Sequence, residues 1–130
     1  MLRPEEAYAL YSRAWNEPER ALALLEECWA EDGVYADDEV PDGVVGPAGL
    51  AALIMATHED LSGFRVWETS APRLLAGRLG ATWTQEGGDP PESISGADVI
   101  EFAADGRIAR VTNVLTTTQP APSTGRQPGG

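Results

Sequence analysis

Two carboxyl groups stand where a folded chain keeps side chains away from bulk water. Asp98 lies in the run SISGADVIEF, residues 93–102, whose alternation puts Ile94, Gly96, Asp98, Ile100 and Phe102 on one face of a strand. Asp37 ends a short extended piece, Gly33–Asp37, just before an acidic turn in which Asp38 and Glu39 follow directly and Asp42 comes next. Such a corner carries polar side chains into a concave place. A carboxylate in a dry pocket gains basicity through desolvation, and a carboxyl set among apolar side chains is pushed towards its neutral form, which can donate a hydrogen bond. Acid/base proton transfer is the chemistry open to such carboxyl groups.

The elements that must position these groups follow from periodicity. Asp105-Gly106 predicts a two-residue hairpin turn between strands Ser93–Ala103 and Arg107–Thr117. That turn pairs Ala104 with Arg107, Phe102 with Ala109, Ile100 with Val111, and Asp98 with Asn113, and places Val111, Asn113 and Leu115 on the facing strand. Upstream, Arg78–Gln85 forms a strand with Leu79, Ala81 and Trp83 on one face. Ala76-Gly77 joins it to a long strand, Phe64–Leu75, bent near Ala71-Pro72 because proline cannot donate to a ladder. EGGDPPE, residues 86–92, is a loop by composition.

Three helical segments precede the strands. Pro4 with Glu5 and Glu6 opens the first, and Ala7, Tyr8, Tyr11, Ala14 and Trp15 give it an aromatic face. Asn16 and Glu19 have capping-box spacing, with Pro18 in the first turn of a second helix that buries Ala21, Leu22, Leu25, Cys28 and Trp29. Gly46-Pro47 opens the third, whose stripe is Leu50, Leu53, Ile54, Thr57, His58 and Leu61. The only histidine therefore lies on an apolar face.

The 130 residues make one domain, residues 1–117, and TQPAPSTGRQPGG, residues 118–130, is expected to be a disordered tail. A net charge of -12 argues against nucleic acid and anionic membranes, which require a positive field. No apolar run reaches the ~20 residues of a membrane span, and no signal peptide opens the chain, so a cytoplasmic location is expected. Cys28, the single cysteine, excludes an internal disulfide and a cysteine-based zinc site. The acids of the turn match no calcium-loop spacing, so no metal is expected there.

Ala14-Trp15-Asn16, the run from Trp29 to Tyr35, Gly46-Pro47, and the stretch from Gly96-Ala97-Asp98 to Asp105-Gly106-Arg107-Ile108 together resemble the nuclear transport factor 2-like superfamily. The similarity is to its SnoaL-like, ketosteroid-isomerase-like branch and spans roughly residues 4–117. It implies an α+β fold in which a cone-shaped, curved antiparallel sheet wraps three N-terminal helices around an apolar pocket. Matched residue by residue with ketosteroid isomerases, it implies Asp37 as base and Tyr11 and Asp98 as oxyanion donors. Asp38 stands where that family has proline, which leaves open which of the two acids turns inward. Limonene epoxide hydrolases are less similar, because the middle strand here reads Leu79-Gly80-Ala81-Thr82-Trp83 and the last carries Asn113.

The implied pocket walls are Trp15, Tyr35, Asp38, Ile54, His58, Trp83, Ile100, Phe102, Val111, Asn113 and Leu115. The implied function is isomerisation or cyclisation of a small apolar carbonyl compound without a cofactor, as in a SnoaL-like polyketide cyclase. Two other readings stand beside it: a non-catalytic binding protein for an apolar metabolite, and a homodimeric assembly module docking through an outer face with Ala97, Val99 and Val114. Each residue also has a purely structural role open to it. Tyr11 and His58 suit a core, Asp37 suits a turn brace, and Asp98 suits a hydrogen bond to Asn113.

Overall fold

Proline at the first position and two acids in the first turn start helix α1 (Pro4–Asn16), and the backbone N–H of Arg3 donates to the Glu6 carboxylate. The computed structural model describes residues 1–120, and α1 packs Ala7, Tyr8, Tyr11 and Ala14 into the interior. A single 3-10 turn at Pro18–Arg20 leads to α2 (Ala21–Cys28). Its buried face is Ala21, Leu24, Leu25 and Cys28, so Leu24 takes the place expected for Leu22, which is exposed. Trp29 already belongs to strand β1 (Trp29–Ala36), where its ring is buried and stacks on Tyr11 at 5.7 Å between centroids. The acidic turn, the two-residue strand β2 (Val44–Val45) and helix α3 (Gly46–Asp60) follow.

The remaining strands are β3 (Arg65–Glu68), β4 (Arg73–Leu75), β5 (Arg78–Gly87), β6 (Glu92–Phe102) and β7 (Ile108–Pro120). The seven strands form one open sheet in the order β2-β1-β7-β6-β5-β3, with β4 also on β5. The architecture is α+β, three helices held in a curved sheet. The sheet is mixed, because β1 runs parallel to β7 while the other pairs are antiparallel. The long strand expected over 64–75 is two short ones, since the chain leaves the ladder between Glu68 and Arg73 and both pieces pair with β5. Ala76 and Gly77, both at positive φ (54° and 77°), close the β4–β5 hairpin as expected. Among the described residues no helix is long and apolar enough to cross a membrane.

The β6–β7 hairpin reaches the expected register by another route. The Ala103 N–H donates to the Arg107 carbonyl and Gly106, at φ 91°, donates to the Ala103 carbonyl, so three residues rather than two form the loop. Phe102 accordingly pairs with Ile108, not Ala109. A bulge between Glu101 and Phe102 then absorbs one residue and restores the pairs Ile100–Val111 and Asp98–Asn113. At the far end β7 runs past its expected limit, with Thr118, Gln119 and Pro120 opposite Ile94, Ser93 and Glu92. The rest of the expected tail, 121–130, lies outside the described residues.

Asn16 does not cap a second helix. It ends α1, and its side-chain amide donates to the Val66 carbonyl (2.7 Å) while its Oδ1 accepts the Val66 N–H (2.9 Å). Those two backbone groups lie on β3, an edge strand, and would otherwise be left without a ladder partner. One asparagine thus joins the helical layer to the sheet edge beside the cavity. Asn16→Ala is expected to lower the unfolding free energy by ~1 kcal/mol, seen as a lower urea midpoint at unchanged slope.

Candidate functional site

The site is built on a gap in β6. Gly96 lies directly opposite Trp83 of β5, and a Cβ at Gly96 would fall 2.5 Å from Cζ2 of the indole. Only glycine lets the ring lie flat across this position. The indole Nε1 then donates to Oδ1 of Asp98, one inward-facing position further along β6, at 3.1 Å. From the other side Asn113, opposite Asp98 on β7, donates its Nδ2 to the same oxygen at 2.8 Å.

Asp98 is 4% exposed, and among the described residues Oδ2 accepts no hydrogen bond. Burial pushes the carboxyl up to about 7, against the pull of the bonds from Asn113 and Trp83, which favour the charged form. Both donors fall on Oδ1, so the neutral acid that burial favours can form without breaking either bond. Oδ1 serves as the carbonyl oxygen that accepts two N–H donors, and Oδ2 is left to carry the proton.

A cavity of about 50 Å³ adjoins this carboxyl. Tyr8, Tyr11, Ser12 and Trp15 line it from one stripe of α1, Phe64, Val66, Trp67 and Glu68 from the β3 region, and Tyr35, Trp83, Gln85 and Asn113 from the longer strands. Tyr11 is buried, and its hydroxyl is held well above the ordinary tyrosine range, first by desolvation and then by the charge that Asp98 carries once it ionises. It stays protonated and can act only as a donor or a neutral acceptor. The same causes raise Tyr8.

Trp15, Tyr35, Trp83, Gln85 and Asn113 also line a second, wider chamber of about 310 Å³ that opens past the acidic turn. Its mouth carries Asp37, Asp38 and Glu39 from the turn and Asp60 from the end of α3, with Ile94 and Leu115 on the sheet side. Asp37 is the fixed member of this group. Its Oδ1 accepts the N–H groups of Glu39 and Val40 (2.9 Å each) and its Oδ2 accepts the Tyr35 hydroxyl at 2.8 Å. Asp38 is exposed at the rim. Among the described residues no three His, Cys, Asp or Glu side chains converge as metal ligands would.

Tyr11 and Asp98 therefore share the inner cavity, Asp37 and Asp38 line the outer one, and Trp15, Tyr35, Trp83 and Asn113 form the wall common to both. Leu115 lines the outer chamber. Five expected wall residues line neither. Ile54, Ile100 and Val111 are fully buried core and Phe102 packs against that core, because the Ile100–Val111 pair lies deeper in the sheet than the Asp98–Asn113 pair. His58 turns its Nε2 to the Trp15 carbonyl (2.7 Å), which can only accept, and sets its ring edge-on to Phe64. It braces the end of α1 rather than facing the cavity. Tyr8, Ser12, Phe64, Glu68, Gln85, Glu39 and Asp60 were not among the expected wall residues. Tyr8 and Ser12 share the helical stripe of Tyr11 and Trp15, a spacing that marks them in the sequence.

This arrangement has relatives. The sequence pattern of the SnoaL-like domain matches residues 8–111. The chain belongs to the SnoaL-like domain family. A proposed isomerase of that family from Agrobacterium tumefaciens is 26% identical and superposes with a TM-score of 0.76, covering 90% of this chain and all of its own. A protein with a ketosteroid-isomerase-like fold from Catenulispora acidiphila, solved in complex with trimethylamine, is 15% identical at a TM-score of 0.70, over 85% of each chain. A nuclear transport factor 2-like protein from Exiguobacterium is 12% identical at 0.69, over 85% of this chain and 98% of its own. These similarities establish the nuclear transport factor 2-like fold for this SnoaL-like domain. No curated protein matches it significantly in sequence.

The raised Asp98 makes folding depend on pH with a definite sign. Between about 3.8 and about 7 the native state keeps a proton that the unfolded chain has released, so this group's contribution is complete below that window and lost as pH rises through it. Asp98→Asn is expected to remove a slope of ~1.4 kcal/mol per pH unit at its steepest. Urea unfolding of both proteins from pH 4 to 8 measures the difference, and parallel curves would contradict it.

Proposed function

We propose that this SnoaL-like domain isomerises or cyclises a small carbonyl compound by proton transfer between its own side chains. The observation that carries the reading is the Asp98 carboxyl, buried at the cavity with one oxygen doubly hydrogen-bonded and the other without a partner among the described residues. A substrate carbonyl in the inner cavity meets the Asp98 Oδ2 proton and the Tyr11 hydroxyl. Asp37, on the wall of the adjoining chamber, takes a proton from the carbon next to the carbonyl. The C–H electron pair becomes the enolate double bond and the carbonyl π pair moves to oxygen, where the two donors hold the charge.

Return of the proton from Asp37 to a different carbon completes an isomerisation. Attack of the enolate on a second carbonyl of the same molecule forms the new C–C bond and restores the first carbonyl, and the new alkoxide takes the proton that Asp37 had removed, which completes a cyclisation and regenerates the base. The Tyr35 hydroxyl and the two turn N–H groups hold the Asp37 carboxylate in place and leave one lone pair of Oδ2 for the substrate. Aromatic walls keep water from the enolate. The 26% identical relative described as a proposed isomerase supports the same reaction class.

The test needs no prior substrate. Enolisable ketones are incubated with the protein in D2O, and loss of the proton next to the carbonyl is followed by NMR. Asp98→Ala is expected to slow exchange ~100-fold or more, the effect of deleting an oxyanion donor, and Asp37→Asn by a similar or larger factor. The wild-type rate should decline as pH rises through about 7, because the donor is then ionised. A rate near wild type in Asp37→Asn would remove the base. Undiminished exchange in both variants leaves a binding protein for a small metabolite as the reading.

A further inference from the structure

Among the described residues no arginine or histidine lines either chamber, and the sequence contains no lysine. Four carboxylates, Asp37, Asp38, Glu39 and Asp60, line the outer chamber together with the aromatic side chains of Trp15, Tyr35 and Trp83. Beyond that wall the buried Asp98 presents an oxygen with no partner among the described residues. Arg65, on β3 beside the inner-cavity residues Val66 and Trp67, lines neither chamber. It lies over Trp67, 4.9 Å from the ring centroid, and is tied to Glu86.

A cavity of this composition has one electrostatic preference. Carboxylates without counter-charges repel an anionic ligand, while aromatic faces attract a cation through their quadrupoles and give a neutral ligand only apolar contact. A solvated acidic rim alone would carry no such meaning. Here the acids sit on a chamber of about 310 Å³ that shares a wall with the Asp98 cavity.

We propose that the substrate bears an alkylammonium group, seated in the outer chamber between the aromatic wall and the acidic mouth while its carbonyl end reaches Asp98. This rests on the acid/base reading above and adds the charge of the substrate to it. Trp15 and Trp83 provide the cation–π contacts, and Glu39 from the turn and Asp60 from the end of α3 set the preference for positive charge. Substrates with a carboxylate or phosphate at that end are rejected.

The probes are choline and its neutral isostere 3,3-dimethylbutan-1-ol, titrated against the full-length chain by tryptophan fluorescence at low salt. Choline is expected to bind roughly tenfold more tightly than the neutral alcohol. Glu39→Gln combined with Asp60→Asn, both exposed and remote from the core, should bring the two ligands within about twofold of each other, as should ~0.5 M salt. Equal or tighter binding of the neutral alcohol, no binding of choline, or a preference that survives the double substitution would each overturn the proposal. The deuterium-exchange assay separates it from the reading it rests on. If neutral ketones exchange and Asp98→Ala abolishes that exchange, while choline shows no advantage, the charge assignment fails and the acid/base reading stands. If choline is preferred but no amino ketone exchanges, the chamber stands as a cation site and the acid/base reading fails.

Discussion

A carboxyl group inside a β-sheet is costly in either protonation state, since the anion loses its hydration and the neutral acid still needs partners. Here the Asp98 side chain meets that requirement with two N–H donors on one oxygen, from Trp83 on one neighbouring strand and Asn113 on the other. Three strands must hold their register for the arrangement to exist. The glycine at position 96 is part of it, because any side chain there would lift the indole away from the carboxyl. A site that depends on strand register is rigid, which suits the oxyanion donor proposed for Asp98.

The helices and the acidic turn complete what the sheet begins. One stripe of α1 supplies Tyr8, Tyr11 and Trp15, and Asn16 and His58 fasten the end of that helix to β3 and α3. The turn after β1 is ordered around Asp37, whose two oxygens bind Tyr35 and the turn's own backbone. The result is a deep aromatic end with one near-neutral carboxyl and a shallow end rich in negative charge. In the proposed reading, a molecule bound across both ends meets a proton donor at one and a filter for positive charge at the other.

Much of this was legible in the sequence. Alternation along β6 and the Asp-Gly turn placed Asp98 opposite Asn113, although the loop is one residue longer than expected and a bulge cancels the difference. Helical spacing found the Tyr11 stripe, and the order of three helices and then strands carried the fold family. Features that arise from packing were not legible. The Trp83–Asp98 bond requires an indole to cross a glycine on the next strand, which no single-strand period reports. Ile54, Ile100 and Val111 have the right face but the wrong depth, and periodicity specifies only the face. Asn16 has the spacing of a helix cap, yet the unpaired edge of β3 claimed its side chain. The parallel β1–β7 pairing joins segments more than seventy residues apart, beyond the reach of any local signal.

The protonation of Asp98 is the point on which site, mechanism and pH dependence all turn. The most direct measurement is a titration of its carboxyl carbon by NMR, assigned by comparison with Asp98→Asn and repeated in Trp83→Phe. A midpoint near 7 in the wild type is expected. A higher midpoint is expected in Trp83→Phe, because the bond lost there favours the charged form. A midpoint near the ~3.9 of a solvated aspartate, unmoved by the loss of Trp83, would contradict the account.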